Sequence, residues 1–168
     1  MMSRKCLWIM SGPPGSGKST YARKEVKKLK EIEPDSHVFY FSRDVIRFSL
    51  LEDGDDYFAK EDAVIRKFFN SAIMALLSWE NCDVFVDATF LTPIARTDFI
   101  NRIKDAVGPI LVNVISFNVS LDVCLTQNRL REGRKRVPDN VVTKMYYRYI
   151  PASYDEYLYN RIIKITDE

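Results

Sequence analysis

The sequence predicts an α/β fold, a five-stranded parallel sheet between two layers of helices. Three observations carry that prediction. Short, wholly apolar runs of the kind a doubly covered strand needs recur along the chain. Charge-rich, helix-prone segments separate them, so strand and helix alternate as in successive βαβ units. The 168 residues allow one domain over 1–168, long enough to bury a core without a disulfide or a metal.

Each element has its own signal. Cys6 to Met10 (CLWIM) is apolar throughout and reads as the first strand. Ser19 to about Ile32 is rich in Lys, Glu and Leu, a helix stopped by Pro34. His37 to Ser42 (HVFYFS) is aromatic and β-prone, the second strand. After the acidic loop Glu52 to Asp56, the segment from Tyr57 to Glu80 places Phe58, Ile65, Phe68, Phe69, Ala72, Ile73, Leu76 and Leu77 at helical spacing, one core-facing stripe. Asp83 to Asp87 (DVFVD) is the third strand. Pro93 opens a helix through Val107 with Thr92 as its cap, and Gly108-Pro109 ends it. Ile110 to Val119 is the fourth strand and Ser120 to about Leu130 a helix. Arg131 to Val137 is a basic loop, Asp139 to Tyr149 a helix after Pro138, and Arg161 to Ile165 a short fifth strand.

Composition narrows the function classes. The chain is 46% hydrophobic and 29% charged, a globular rather than a disordered balance. Lys plus Arg is 25 and Asp plus Glu 23, a net charge of +2, which excludes a strongly basic coat. A nucleic-acid partner must therefore be held by a local patch. Cys6, Cys82 and Cys124 are far apart, with no CxxC spacing, and His37 is the sole histidine, so reduced, buried thiols are expected and a structural metal is not. No signal peptide opens the chain and no run approaches 18 apolar residues, so a soluble, cytoplasmic protein without membrane contact is expected.

The strongest motif is Gly12-Pro13-Pro14-Gly15-Ser16-Gly17-Lys18-Ser19, followed by Thr20, which fits G-x-x-x-x-G-K-[ST]. Glycines let successive N–H groups turn inward around phosphate oxygens at a helix N-terminus. Lys18 would reach the β- and γ-phosphates of ATP and the Ser19 hydroxyl would hold Mg²⁺. A chance match in a chain of this size is about 0.6%, and the flanking strand and helix reduce it further. The motif implies a nucleoside triphosphate.

Two carboxylates reach the same sheet edge. Ligands of open α/β sheets sit beyond the carboxyl ends of the strands, where the second strand leads into Ser42-Arg43-Asp44 and then Arg47. Asp44 there can accept the proton of an acceptor hydroxyl, and Arg47, one helical turn on, can bind an acceptor phosphate. A surface Arg-Asp pair capping a helix is the competing reading. The third strand ends in Asp87, placed like a Walker B aspartate near Mg²⁺ or the acceptor. Arg43 and Thr89, beside these carboxylates, complete the set expected to face the acceptor.

Five of the eight residues from Arg129 to Arg136 (RLREGRKR) are basic. A solvated helix end is the ordinary reading of such a run. Here it falls between the fourth strand and the last long helix, where P-loop kinases carry a lid. Residues 129–138 are therefore expected to close over the nucleotide, with Arg131 and Arg134 on the transferring phosphoryl group and Arg129 on the nucleotide.

GPPGSGKST, SRDxxR, VDATxLTPxxR and a basic lid ending in Val137-Pro138, taken together, resemble the kinase domain of bacteriophage 5′-hydroxyl polynucleotide kinase over roughly residues 7 to 150. The wider group of small P-loop kinases, zeta-toxin-like kinases included, shares the first and third motifs. The resemblance implies a P-loop NTPase three-layer sandwich with strand order 2-3-1-4-5 and ATP-dependent transfer to a 5′-OH of DNA or RNA. It implies Asp44 as general base, Arg47 on the phosphate next to the hydroxyl, Asp87 on the acceptor nucleotide, and Arg96 as a further basic position. Glu132 stands where the family has an arginine before the lid glycine, and Phe90 where it more often has asparagine. The family's 3′-phosphatase activity is not expected from a chain of this length.

Other acceptors fit the same residues: a small metabolite, a nucleoside, or a hydroxylated base in DNA. An ATP-binding switch without an acceptor is a further class, against which Asp44 and the basic lid argue. Tyr146, Tyr147, Tyr149, Tyr154, Tyr157 and Tyr159 crowd the C-terminal quarter. Packing of their ring bodies is the expected reading, with base stacking as the alternative.

Overall fold

The computed structural model describes residues 3–167. Five strands, β1 (Arg4–Ser11), β2 (His37–Ser42), β3 (Asn81–Asp87), β4 (Leu111–Phe117) and β5 (Arg161–Ile165), form one sheet in the order β2-β3-β1-β4-β5. Every pairing is parallel. The helices are α1 (Lys18–Ile32), α2 (Arg43–Leu50), α3 (Glu61–Ser78), α4 (Pro93–Val107), α5 (Leu121–Arg129) and α6 (Asp139–Arg148). This is the predicted α/β sandwich, with the predicted strand order. Among the described residues no helix is long and apolar enough to cross a membrane.

The apolar runs are continuous because both faces of the sheet are covered. Leu7 and Ile9 of β1, Val84 and Val86 of β3, and Val112 and Val114 of β4 pack beneath α3 and α4. Their neighbours Met10, Phe85, Ile115 and Phe117 turn the other way, into a core completed by Ala22 of α1. The two-residue period of the strand thus feeds two cores from one apolar sequence. A smaller cluster of Val119, Cys124 and Val142 ties α5 to α6 beneath the basic loop. The three cysteines are separate, buried free thiols.

Caps set several helix starts. Ser42, Thr92 and Ser120 accept hydrogen bonds from the backbone N–H of Val45, Ala95 and Val123. Thr92 before Pro93 begins α4 at its predicted residue. The sequence separates Arg47 from Asp44 by a helical turn but does not announce α2 as a helix, because only eight residues form it and its apolar face is short. Helix α3 starts at Glu61 rather than Tyr57, and Phe58 is exposed. Its buried stripe is Val64, Phe68, Ala72, Ala75 and Leu76, so the predicted core positions Ile65 and Leu77 fall on its exposed flanks.

The tyrosines divide. Tyr146 packs against the Val119, Cys124 and Val142 cluster, and the Tyr149 hydroxyl donates to the Ser11 carbonyl oxygen. Tyr159 donates to Glu156, whereas Tyr147 and Tyr157 are exposed.

Arg96 corrects an expectation. Its guanidinium is wholly buried, paired with Glu156 at 2.7 Å and donating to Ser11 Oγ, Phe90 O and Ile150 O. It locks the C-terminal segment onto the ends of β1 and β3 and has no face left for an acceptor. Removing one partner of a buried pair strands the other charge, so Arg96→Met should lower stability by about 3–5 kcal/mol, read from the urea midpoint. A loss of substrate binding at unchanged stability would return Arg96 to the acceptor.

Candidate active site

Parallel strands bring the ends of β1, β2 and β3 to one edge, where Met10 and Ser42 both lie in register with Asp87. Residues 12–17 cross this edge from β1 into α1. Gly15 has φ 79°, and a Cβ there would lie 2.1 Å from the Cys124 carbonyl oxygen, so only glycine fits the turn. Gly17, at φ 93°, begins α1 without a side-chain cap, which leaves the first N–H groups of the helix to an anion.

Lys18 is buried, and its Nζ donates to the Pro13 carbonyl oxygen at 2.8 Å. Burial lowers its pKa to about 8, with the Asp87 charge opposing and the Arg131 charge assisting. A buried ammonium folded back on its own loop, with free N–H groups beside it, fits phosphate. A bound phosphate favours the charged form, so nucleotide binding should take up a proton between about pH 8 and the free-lysine value of about 10.4. Affinity should weaken as pH rises through that window. In the same window the unfolded chain holds more protons, so this group's contribution to stability rises with pH. Calorimetry in buffers of different ionisation enthalpy reads the uptake, and Lys18→Met should abolish it.

Ser19 Oγ donates to Asp87 Oδ2 at 2.6 Å, and Tyr40 donates to the same oxygen at 2.5 Å. A hydroxyl and a carboxylate side by side next to the phosphate loop are the oxygen donors Mg²⁺ requires. Burial, then the Asp87 charge, raises the Tyr40 pKa, so Tyr40 remains a donor to that carboxylate.

Lys18, Ser19, Asp44, Asp87 and Thr89 line one cavity of about 480 Å³. Arg131, Arg134 and Arg136 line it from the basic segment between α5 and α6, and Arg43 and Arg47 from α2. The sequence-expected carboxylates and lid arginines therefore share one space. Thr20 is exposed on α1 and does not line this cavity, and Arg129 pairs instead with Asp139 at 2.7 Å, joining α5 to α6.

A family profile described as an AAA domain matches residues 7–152, from β1 to beyond α6. The chain belongs to this AAA domain family. Among solved structures, a provisionally named kinase from Chloroflexus aurantiacus has a TM-score of 0.74 at 14% identity, over 99% of this chain and 86% of that one. Kti12 from Chaetomium thermophilum, in complex with ADP-AlF3, has a TM-score of 0.71 at 15% identity, over 96% and 89%. A chain of the Pnkp1/Rnl/Hen1 RNA repair complex has a TM-score of 0.65 at 24% identity, over 88% of this chain but only 44% of its own length. These likenesses show a shared α/β fold. A search of curated protein sequences gave no match.

In this member of the AAA domain family the α2 side of the cavity has partners that sequence reasoning missed. The Tyr57 hydroxyl donates to Asp44 Oδ1 at 2.7 Å, and burial, then the Asp44 charge, pushes Tyr57 up to about 12. Asp44 Oδ2 has no protein partner among the described residues. Arg47 is buried, paired through both terminal nitrogens with Glu61, and stacked 4.3 Å from the Tyr57 ring centroid. Its Nε faces Asp44 Oδ1 at 3.7 Å, an ion pair beyond hydrogen-bond reach, and has no hydrogen-bond partner among the described residues. Arg136 lines the cavity beside the expected Arg131 and Arg134. Tyr40 and Tyr57 carried no motif, because their positions depend on neighbouring strands and loops. Phe90 takes φ 43°, the left-handed region that asparagine tolerates far better, and its ring packs 5.0 Å from that of Phe99.

Proposed function

We propose that this protein is an ATP-dependent kinase that phosphorylates a hydroxyl, the 5′-OH of a DNA or RNA strand. The observation that carries the reading is the single cavity joining Lys18 and Ser19 to the Asp44 carboxylate under the lid arginines. The first-turn N–H groups and Lys18 hold the β- and γ-phosphates. Ser19 and Asp87 would hold Mg²⁺, which would supply charge neutralisation on those phosphates. Asp44 Oδ2 takes the hydroxyl proton as the acceptor oxygen bonds to γ-phosphorus and the bond to the β–γ bridging oxygen breaks, releasing ADP. Tyr57 holds the other oxygen of Asp44 and so fixes the carboxylate in place. Arg131, with Arg134 beside it, meets the charge spread over the transferring group.

The choice of a 5′-OH rests on the SRDxxR segment, which sets an arginine beside the base as an acceptor with a neighbouring phosphate requires. The resemblance to phage polynucleotide kinase and the fold shared with a chain of an RNA repair complex support it. One observation favours a second reading. Glu61 already neutralises Arg47, as suits an acceptor without a phosphate there, such as a nucleoside or another small hydroxyl compound.

One experiment separates the two. Labelled γ-phosphate of ATP is offered with Mg²⁺ to 5′-OH DNA and RNA oligonucleotides, to 5′-phosphorylated controls, and to nucleosides and sugars. Label on the 5′-OH strands and not on the controls is the expected result. Label on small compounds alone would establish the second reading.

A further inference from the structure

A second cleft, of about 380 Å³, opens between α3, α4 and the end of α6. It shares Arg43, Thr89 and Met145 with the reaction cavity and no residue of the phosphate loop, so it adjoins the acceptor side. Its wall is aromatic: Phe99 lies 5.7 Å from Phe69 and 5.0 Å from Phe90, centroid to centroid. Arg43, Arg102 and Arg148 also line it. None of the three makes an ion pair or a side-chain hydrogen bond among the described residues, whereas Arg4, Arg47, Arg96 and Arg129 are all paired. Asp98 is the one carboxylate in the lining.

Unpaired guanidinium groups around an aromatic wall call for a ligand that is both flat and anionic. An apolar ligand would leave three cations unmet, and an inorganic anion would leave the rings bare. The guanidinium carbon of Arg102 already lies 4.3 Å from the Phe69 ring centroid, a cation set against the aromatic wall. We propose that this cleft binds the nucleotides on the 3′ side of the reacting one, as a single strand. Bases stack on Phe69 and Phe99 while Arg102 and Arg148 meet backbone phosphates. The proposal rests on the reading that the acceptor is a 5′-OH strand.

The test compares KM for two acceptors, a nucleoside 3′-monophosphate and a single-stranded 5′-OH hexanucleotide, in the wild type and in Arg102→Ala/Arg148→Ala. Both arginines are exposed, so the double variant should fold. In the wild type the hexanucleotide should have a KM about tenfold lower, the scale of one stacked base with its phosphate contact. The double variant should erase that advantage and leave the mononucleotide's kcat and KM unchanged. A wild type without a length advantage, or a variant that keeps it, would overturn the proposal while transfer to the mononucleotide still upheld the 5′-OH reading. Label on neither acceptor would overturn both.

Discussion

Asp44→Asn should lower kcat by about 10²–10⁴-fold, the usual range for loss of a general base, and leave ATP binding unchanged. Asparagine keeps the volume and can still accept the Tyr57 hydrogen bond, so the loop and α2 should hold their places. What it loses is the capacity of the second oxygen to take a proton. The separation of effects follows from the proposed roles, because Lys18 and the first turn of α1, not Asp44, would bind the nucleotide. Single-turnover transfer and nucleotide titration read the two effects apart. Equal turnover in the variant would remove Asp44 as the base.

Arg131→Ala should lower kcat by about 10³-fold or more, the scale of an arginine on a transferring phosphoryl group. The lid arginines look interchangeable in sequence, and the structure separates them. Arg131 lies close enough to the P-loop for its charge to help lower the pKa of Lys18. Arg134 lines the cavity but donates to the Glu52 carbonyl oxygen, which ties the lid to the acidic loop. Arg129 is held by Asp139. Arg134→Ala should therefore act mainly through lid closure, raising KM for ATP more than it lowers kcat. If the two variants exchange these effects, Arg134 is the residue on the phosphoryl group.

These expectations show how far local sequence reaches. The phosphate loop is legible because its function is local: glycines that permit left-handed backbone, a lysine and a hydroxyl, all within nine consecutive residues. The five strands are legible because a doubly covered strand must be apolar on both faces, and the helix from Pro93 because its cap and first-turn proline are adjacent. Less legible was the start of α3. The aromatic residues before it line the cavity beside α2 rather than the core, so helical periodicity extended one turn too far.

Charge was the harder reading. Arg47, Arg96, Arg129 and Arg131 are equivalent as letters in motifs, yet one is stacked against Tyr57, one is sealed in the core, one staples two helices and one lines the cavity. Motifs, the basic run and the family resemblance assigned all four to the site. Which of them remains free for a ligand depends on carboxylates distant in sequence, Glu61 for Arg47 and Glu156 for Arg96. A strand or a phosphate loop is set by neighbours along the chain, whereas an ion pair is set by neighbours in space, and only folding brings those together.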